Sequence, residues 1–230
     1  MQDYTALERS LSYHFNNPIL LEHALIHSSY ASEHGLEYVE NNERFEFIGD
    51  AYLDAVIGFK LFHLMESRPE GILSKTRANI VCEESLASIA RQIHLGDYLQ
   101  LGHGEELHGG RDKSSILADA VEAIIGAIMM DSGYDTCEQV VLNLFKDNIE
   151  LALSGKLHHD YKSALQEKLQ AEYKSARITY PLVEESGPDH QKTFCVQVVV
   201  NDKVLATGTG HSKKAAEQDA AKEALTKGDC

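Results

Sequence analysis

ILADAVEAIIGAIMM, residues 116–130, is apolar at every position except Asp119 and Glu122. A run of this length that is apolar on all sides predicts a buried helix, here from about Ser115 to Met130. The two acids stand at i and i+3 and therefore project the same way. No lysine or arginine in the run could neutralise them. A buried carboxylate is costly unless it is paired or bound to a metal ion. Ala118, Ala120, Ala123, Gly126 and Ala127 are small enough to admit a neighbouring helix at close range.

A partner for that helix is found upstream, in NERFEFIGD, residues 42–50. At about 100° per residue, Glu43, Glu46 and Asp50 fall within roughly 60° of one helix face. Asp54 continues the stripe, and Phe45, Phe47 and Ile48 surround it. Like charges at this spacing repel and cost helix stability. One acid in an apolar helix is most simply a salt-bridged or hydrogen-bonded core carboxyl. Two carboxylate pairs on two helices favour a shared divalent-cation site instead. All-oxygen ligands select hard ions, so the expected occupant is Mg²⁺, with Mn²⁺ as a substitute. Mg²⁺ in such a setting serves phosphate chemistry by activating water and neutralising phosphoryl oxygens. The histidines offer less. His23 and His27 lack the flanking acid of a zincin motif and read as packed or exposed side chains, and His158-His159 fall in the linker.

The wider chain sets bounds on function. Its 230 residues are 43% hydrophobic and 25% charged, an ordinary folded composition large enough for two cores. No stretch of about 18 apolar residues is present, so no membrane span and no membrane partner are expected. The opening MQDYTALERS carries acids and no apolar centre, so no secretory signal is expected. Four scattered cysteines without a Cys-x-x-Cys pair point to a reducing, cytoplasmic compartment and away from a thiolate zinc site. A net charge of −15 argues at first against a nucleic-acid partner. The charge is uneven, however. Residues 1–156 hold 11 Lys+Arg against 25 Asp+Glu, and residues 157–230 hold 10 against 11.

Apolar periodicity predicts helices from Tyr4 to about Ile149, with Asn16-Asn17-Pro18 starting one of them. The glycines of Gly102-His103-Gly104 and His108-Gly109-Gly110 predict a flexible loop between them. Beyond Asp160 the texture changes. Residues 161–173 read as a helix, and residues 177–183, 193–200 and 203–209 read as strands. Asn201-Asp202 makes a hairpin turn, and Ser212 caps an Ala-rich helix from Lys213 to about Leu225. The expected architecture is an all-α domain over residues 1–153, a linker over 154–159, and a small α+β module (α-β-β-β-α) over 160–227.

NERFEFIGD closely resembles the ribonuclease III signature, and GRDKSSILADAVEAIIGA, residues 110–127, resembles that family's second acidic motif. Residues 160–226 resemble a double-stranded RNA-binding domain through Asp160-Tyr161-Lys162, Leu165-Gln166-Glu167, Gly187-Pro188-Asp189-His190 and Ser212 to Glu217. Together they follow the order of a bacterial ribonuclease III over nearly the whole chain. Ala51 replaces the usual serine, Phe45 and Ile48 replace leucines, and Ser114 stands where glutamate is common. None of these removes a carboxylate.

The resemblance implies an endoribonuclease that hydrolyses double-stranded RNA. Glu46, Asp50, Asp119 and Glu122 would form the Mg²⁺ site, with Asp50 and Glu122 most sensitive to substitution. Glu43 and Glu70 would be outer acidic positions of the cleft, and Phe47 would lie at a homodimer interface. It further implies staggered products with 5′-phosphates and 3′-hydroxyls, cut from ribosomal RNA precursors and other structured transcripts. No small-molecule cofactor is implied.

In the second module, Ser163, Gln166, Glu167 and Gln170 share a helix face suited to 2′-hydroxyls, which a protein reads where bases are hidden. His190 would enter a second minor groove. Lys213 and Lys214 open the last helix, where free N–H groups favour a phosphate. Two rivals remain open on the sequence. One is a silent relative that binds duplex RNA without cutting. The other is a Mg²⁺-dependent hydrolase of small phosphate esters with an accessory C-terminal module.

Overall fold

The computed structural model describes residues 3–37, 39–154, 157, 161–173, 177–187 and 192–227. The chain divides into two compact units, Met1–Leu157 and His158–Cys230.

The first unit is helical among its described residues, as the apolar periodicity predicts. In chain order these are α1 (Thr5–Leu11), α2 (Pro18–Ala24), α3 (Ser28–Glu33), α4 (Glu43–Leu64), α5 (Glu70–Ile80), α6 (Glu83–Gln92), α7 (His103–Leu107), α8 (Ser114–Ser132), α9 (Tyr134–Leu144) and α10 (Lys146–Leu153). Helix α2 starts as its sequence dictates: Pro18 occupies the first turn, and the Asn17 side chain accepts the Ile19 N–H at 3.2 Å. Gly133, at φ +80°, breaks the chain between α8 and α9, a conformation that side-chain-bearing residues avoid.

Helix α8 is the centre of the unit. Its residues Ile116, Leu117, Val121, Ile124, Ile125 and Ile128 are at most 3% exposed. Each such side chain contributes about 1.5–3 kcal/mol by leaving water. Helix α4 crosses α8 at a point where glycine stands on both sides. A Cβ at Gly49 would lie 1.8 Å from the Glu122 carbonyl oxygen, and one at Gly126 would lie 2.2 Å from that of Phe45. The two backbones therefore touch, and this contact sets the separation of the acids that flank it.

Two expectations are corrected. The segment between Gly102 and Gly110 is not a loop throughout, because residues 103–107 form α7 and residues 110–112 a 3-10 turn. Its start is held from afar: the Glu33 carboxylate accepts the His103 N–H at 2.8 Å, and the Ser29 hydroxyl accepts the Gly102 N–H at 2.9 Å. Those caps lie some 70 residues upstream, so the local glycines gave no sign of them.

Asp131, at the end of α8, fastens the N-terminal segment. Its carboxylate accepts from the Tyr13 hydroxyl at 2.6 Å, the Asn16 N–H at 2.7 Å and the Asn17 N–H at 3.0 Å. Burial opposes ionisation there, yet these hydrogen bonds prevail and hold the carboxyl below its ordinary value. Asp131→Ala should cost about 1–2 kcal/mol after allowance for solvent screening. Urea unfolding at neutral pH measures this. The difference from wild type should shrink as acid protonates Asp131, because a group with a lowered pKa loses its contribution as pH falls.

The second unit contains α11 (Tyr161–Glu172), β1 (Ile178–Thr179), β2 (Leu182–Ser186), β3 (Thr193–Val200), β4 (Lys203–Gly210) and α12 (Lys213–Lys227). The strand predicted over residues 177–183 is divided at Tyr180-Pro181 and runs on to Ser186. Proline has no N–H to give to the ladder. Both pieces pair antiparallel with β3 in one continuing register, Ile178 opposite Val200 and Leu182 opposite Val196, before a bulge near Glu184. The β3–β4 turn uses Asn201 and Asp202 at φ +47° and +67°, as the hairpin reading predicts. Val196, Val198 and Val200 alternate inward on β3. Helix α12 lies so near β4 that a Cβ on Gly208 would meet the Ala220 nitrogen at 2.0 Å. Asp219 of α12 also accepts the Thr209 N–H at 2.9 Å.

Candidate active site and RNA-binding face

The α4–α8 crossing brings the predicted acids together. Glu46 from α4 and Asp119 and Glu122 from α8 each offer a carboxylate oxygen within 4.8 Å of the others. All three are half-buried, and no ion pair to a lysine or arginine is formed by them among the described residues. Asp50 is exposed and outside this trio, but after burial it is the strongest influence on Glu122. Burial, then the charges of Asp50, Glu46, Asp119 and Asp54, push the Glu122 carboxyl up to about 8. Burial also raises Glu46, helped by Asp119, Glu43 and Asp50. Asp119 is raised by burial, with His27 opposing and Glu83 assisting. Such mutual repulsion is what a divalent cation would relieve, and the donor set is all oxygen.

The outer positions differ among themselves. Glu43 is exposed in the first turn of α4 and acts on Glu46. Glu70 begins α5, where its carboxylate accepts the Ser74 hydroxyl at 2.6 Å, and it is not among the charges that shift the trio. Asp54 is 3.5 Å from the Arg77 guanidinium, so that stripe position is ion-paired. Phe47 is 77% exposed although it sits among core-facing residues of α4.

Sequence reasoning missed two neighbours of the trio. Glu83, the first residue of α6, adds negative charge near Asp119. His27 caps α3 through Nδ1 and faces Asp119 electrostatically. Both belong to other elements, and neither has a local motif. The only sequence signal for His27 was Ser28-Ser29 after it, which permits the cap.

On the second unit, Gln166 and Gln170 are exposed on α11. Lys213 and Lys214 are exposed at the start of α12, which Ser212 caps by accepting the Ala215 N–H at 3.1 Å. The side chains of Ser163 and Glu167, and all of His190, lie outside the described residues, as does most of the expected linker. Lys162 is committed to packing, ion-paired with Glu217 and 4.5 Å above the Tyr180 ring.

No described helix is long and apolar enough to cross a membrane. The Ribonuclease-III-like family model matches residues 17–148, and the double-stranded RNA binding motif matches residues 161–227. Ribonuclease 3 of Caldanaerobacter subterraneus subsp. tengcongensis is 51% identical over 223 residues, 97% of either chain. Ribonuclease 3 of Desulforamulus reducens is 46% identical over 95% of this chain and 89% of its own. A solved nuclease domain of ribonuclease III from Campylobacter jejuni is 45% identical with a TM-score of 0.59, covering 64% of this chain and 98% of that one. That structure is described for flexibility in a region involved in its dimer formation. With a matching helical core, a matching RNA-binding module and near-full-length relatives, the chain belongs to the ribonuclease III family.

Proposed function

We propose that the chain is a Mg²⁺-dependent endoribonuclease that hydrolyses the phosphodiester bonds of double-stranded RNA. The observation that carries this reading is the convergence of three half-buried carboxylates from α4 and α8 with no cationic partner among the described residues. A silent binding relative would have no use for so costly an arrangement.

Glu46, Asp119 and Glu122 would hold the ion, with Asp50 one turn further along α4 beside them. An Mg²⁺ ion held by these carboxylates would supply charge neutralisation for phosphoryl oxygens and a more acidic water. The chain's part is to keep the acids at fixed separation, which the glycine contact between α4 and α8 does without a flexible side chain. Asp50 and Glu122 are the two whose loss should hurt most.

The C-terminal unit is proposed to grip the duplex by its shape. Gln166 and Gln170, with Ser163 and Glu167, would meet 2′-hydroxyls, His190 a second minor groove, and Lys213 and Lys214 a phosphate at the head of α12. Few phosphate contacts on a chain of net charge −15 predict modest affinity that weakens as salt rises. A homodimer through the α4 surface bearing Phe47 would supply one active site per strand, and a face with a phenylalanine 77% exposed supports that pairing. The domain limits proposed are residues 1–153 and 160–227, and the free state of Cys82, Cys137 and Cys195 suits the cytoplasm. Ribosomal RNA precursors and other structured transcripts are the proposed natural substrates.

The chemistry is tested by the ends it leaves. A long perfectly paired RNA cut in Mg²⁺ should yield 5′-phosphates, 3′-hydroxyls and staggered strands, with single-stranded RNA spared. Cyclic 2′,3′-phosphates would show attack by the RNA's own 2′-hydroxyl and refute hydrolysis by water.

A further inference from the structure

Asn42 stands immediately before α4 and is only 3% exposed. Its backbone is already helical, at φ −78° and ψ −12°, and its carbonyl accepts the Glu46 N–H at 2.9 Å. From the other side, the Ile26 carbonyl accepts the Asn42 N–H at 2.8 Å. Asn42, Glu46, Gly49 and Leu53 follow one another at alternating four- and three-residue steps, so they line one stripe of the helix. That stripe is turned to α8, since a Cβ on Gly49 would meet the Glu122 carbonyl oxygen and Leu53 is fully buried. Asn42 therefore heads the stripe one turn from Glu46, whose carboxylate gathers with those of Asp119 and Glu122.

The side-chain amide of Asn42 makes no hydrogen bond among the described residues. Its neighbour Asn41 does the capping, with Oδ1 accepting the Glu43 N–H at 3.1 Å. Asn42 caps nothing. A buried amide with its donor and acceptor unused is costly, and a native fold keeps one where a further partner is supplied. The amide is not sealed off, because water still reaches its polar atoms.

We propose that Asn42 is a positioning residue of the cation site, its amide bridging the Glu46 carboxylate and a water in the hydration shell of the ion. The inference rests on the Mg²⁺ reading above. Mg²⁺ gives up its waters reluctantly and keeps several of them beside protein carboxylates. A water on a cation turns its lone pair to the metal and donates its hydrogens, so it needs an acceptor, which Oδ1 provides. The Glu46 carboxylate accepts, and the Asn42 Nδ2–H provides its donor. One amide meets both needs without adding a charge to a site already crowded with acids.

The test uses Mg²⁺ alone, without RNA, and reads the rise of melting temperature across a titration. Asn42→Leu keeps the branched shape and removes both polar groups. It should melt no lower than wild type in EDTA, because an unpaired buried amide is gone, yet bind Mg²⁺ about tenfold or more weakly. Asn42→Asp keeps an acceptor for the water and should hold Mg²⁺ within a few-fold of wild type. Where leucine bars folding, Asn42→Ala gives the same comparison. Wild-type Mg²⁺ affinity in Asn42→Leu, with or without a lower melting temperature in EDTA, would overturn the proposal and leave Asn42 a structural residue. An equal loss of affinity in Asn42→Asp would overturn it too, since the acceptor for the water would then be immaterial. Failure of the wild type itself to bind Mg²⁺ would instead refute the metal-dependent reading on which the proposal rests.

Discussion

Glu122→Gln should abolish RNA cleavage, by about 10³-fold or more, while making the metal-free protein more stable at pH 8. The opposite signs follow from one cause. Burial and the charges of Asp50, Glu46 and Asp119 push the Glu122 carboxyl up to about 8, against an ordinary value of 4.5. Between those values the folded chain binds a proton that the unfolded chain has released, so metal-free stability falls as pH rises through this window. Above about pH 8 the folded state carries the full repulsion. Glutamine removes the charge and keeps the shape. Thermal melts in EDTA should therefore place the variant several degrees above wild type at pH 8 and close to it at pH 5. Added Mg²⁺ should stabilise wild type strongly and the variant little. A variant that melts below wild type at pH 8 would mean that Glu122 is a paired structural acid.

The second large effect concerns a residue with no functional group. Gly49→Ala places a methyl group where the Glu122 carbonyl oxygen already stands, 1.8 Å from the new Cβ. Overpacking typically costs about 1–3 kcal/mol when side chains can yield. Here the obstacle is backbone on the central helix, so the cost should lie at or beyond that range. Gly126→Ala, facing the Phe45 carbonyl at 2.2 Å, should behave alike. Chemical denaturation checks the stability loss. Any folded fraction should also show weakened Mg²⁺ binding, because Glu46 and Glu122 flank the contact that is forced open.

The same crossing explains what could be read from the sequence. The apolar run around Asp119 and Glu122, with its small residues, announced both a buried helix and a close neighbour. The acidic stripe from Glu43 to Asp50 announced which neighbour it was. Those features are local, with spacing that a helix converts directly into a shared face. The start of α7 was illegible because its caps come from Ser29 and Glu33 on a different helix. His27 was passed over for the same reason, its company of Asp119, Glu43 and Glu105 being assembled only by folding. In the C-terminal unit the strand propensity of residues 177–183 was plain, but Pro181 divides the ladder there, and the extension to Ser186 is set by pairing with β3. Asp54, which continues the acidic stripe, is claimed by Arg77, which the sequence could not place.

Cleavage of a long, perfectly paired RNA, measured across a Mg²⁺ titration with wild type and Glu122→Gln side by side, separates a metal-dependent nuclease from a protein that only binds. Wild type should cut at discrete positions, with a rate that rises with Mg²⁺ and vanishes in EDTA, and the variant should be inert though still able to bind the duplex. Duplex binding without cutting by the wild type, or cutting that survives loss of Glu122, would contradict the nuclease reading.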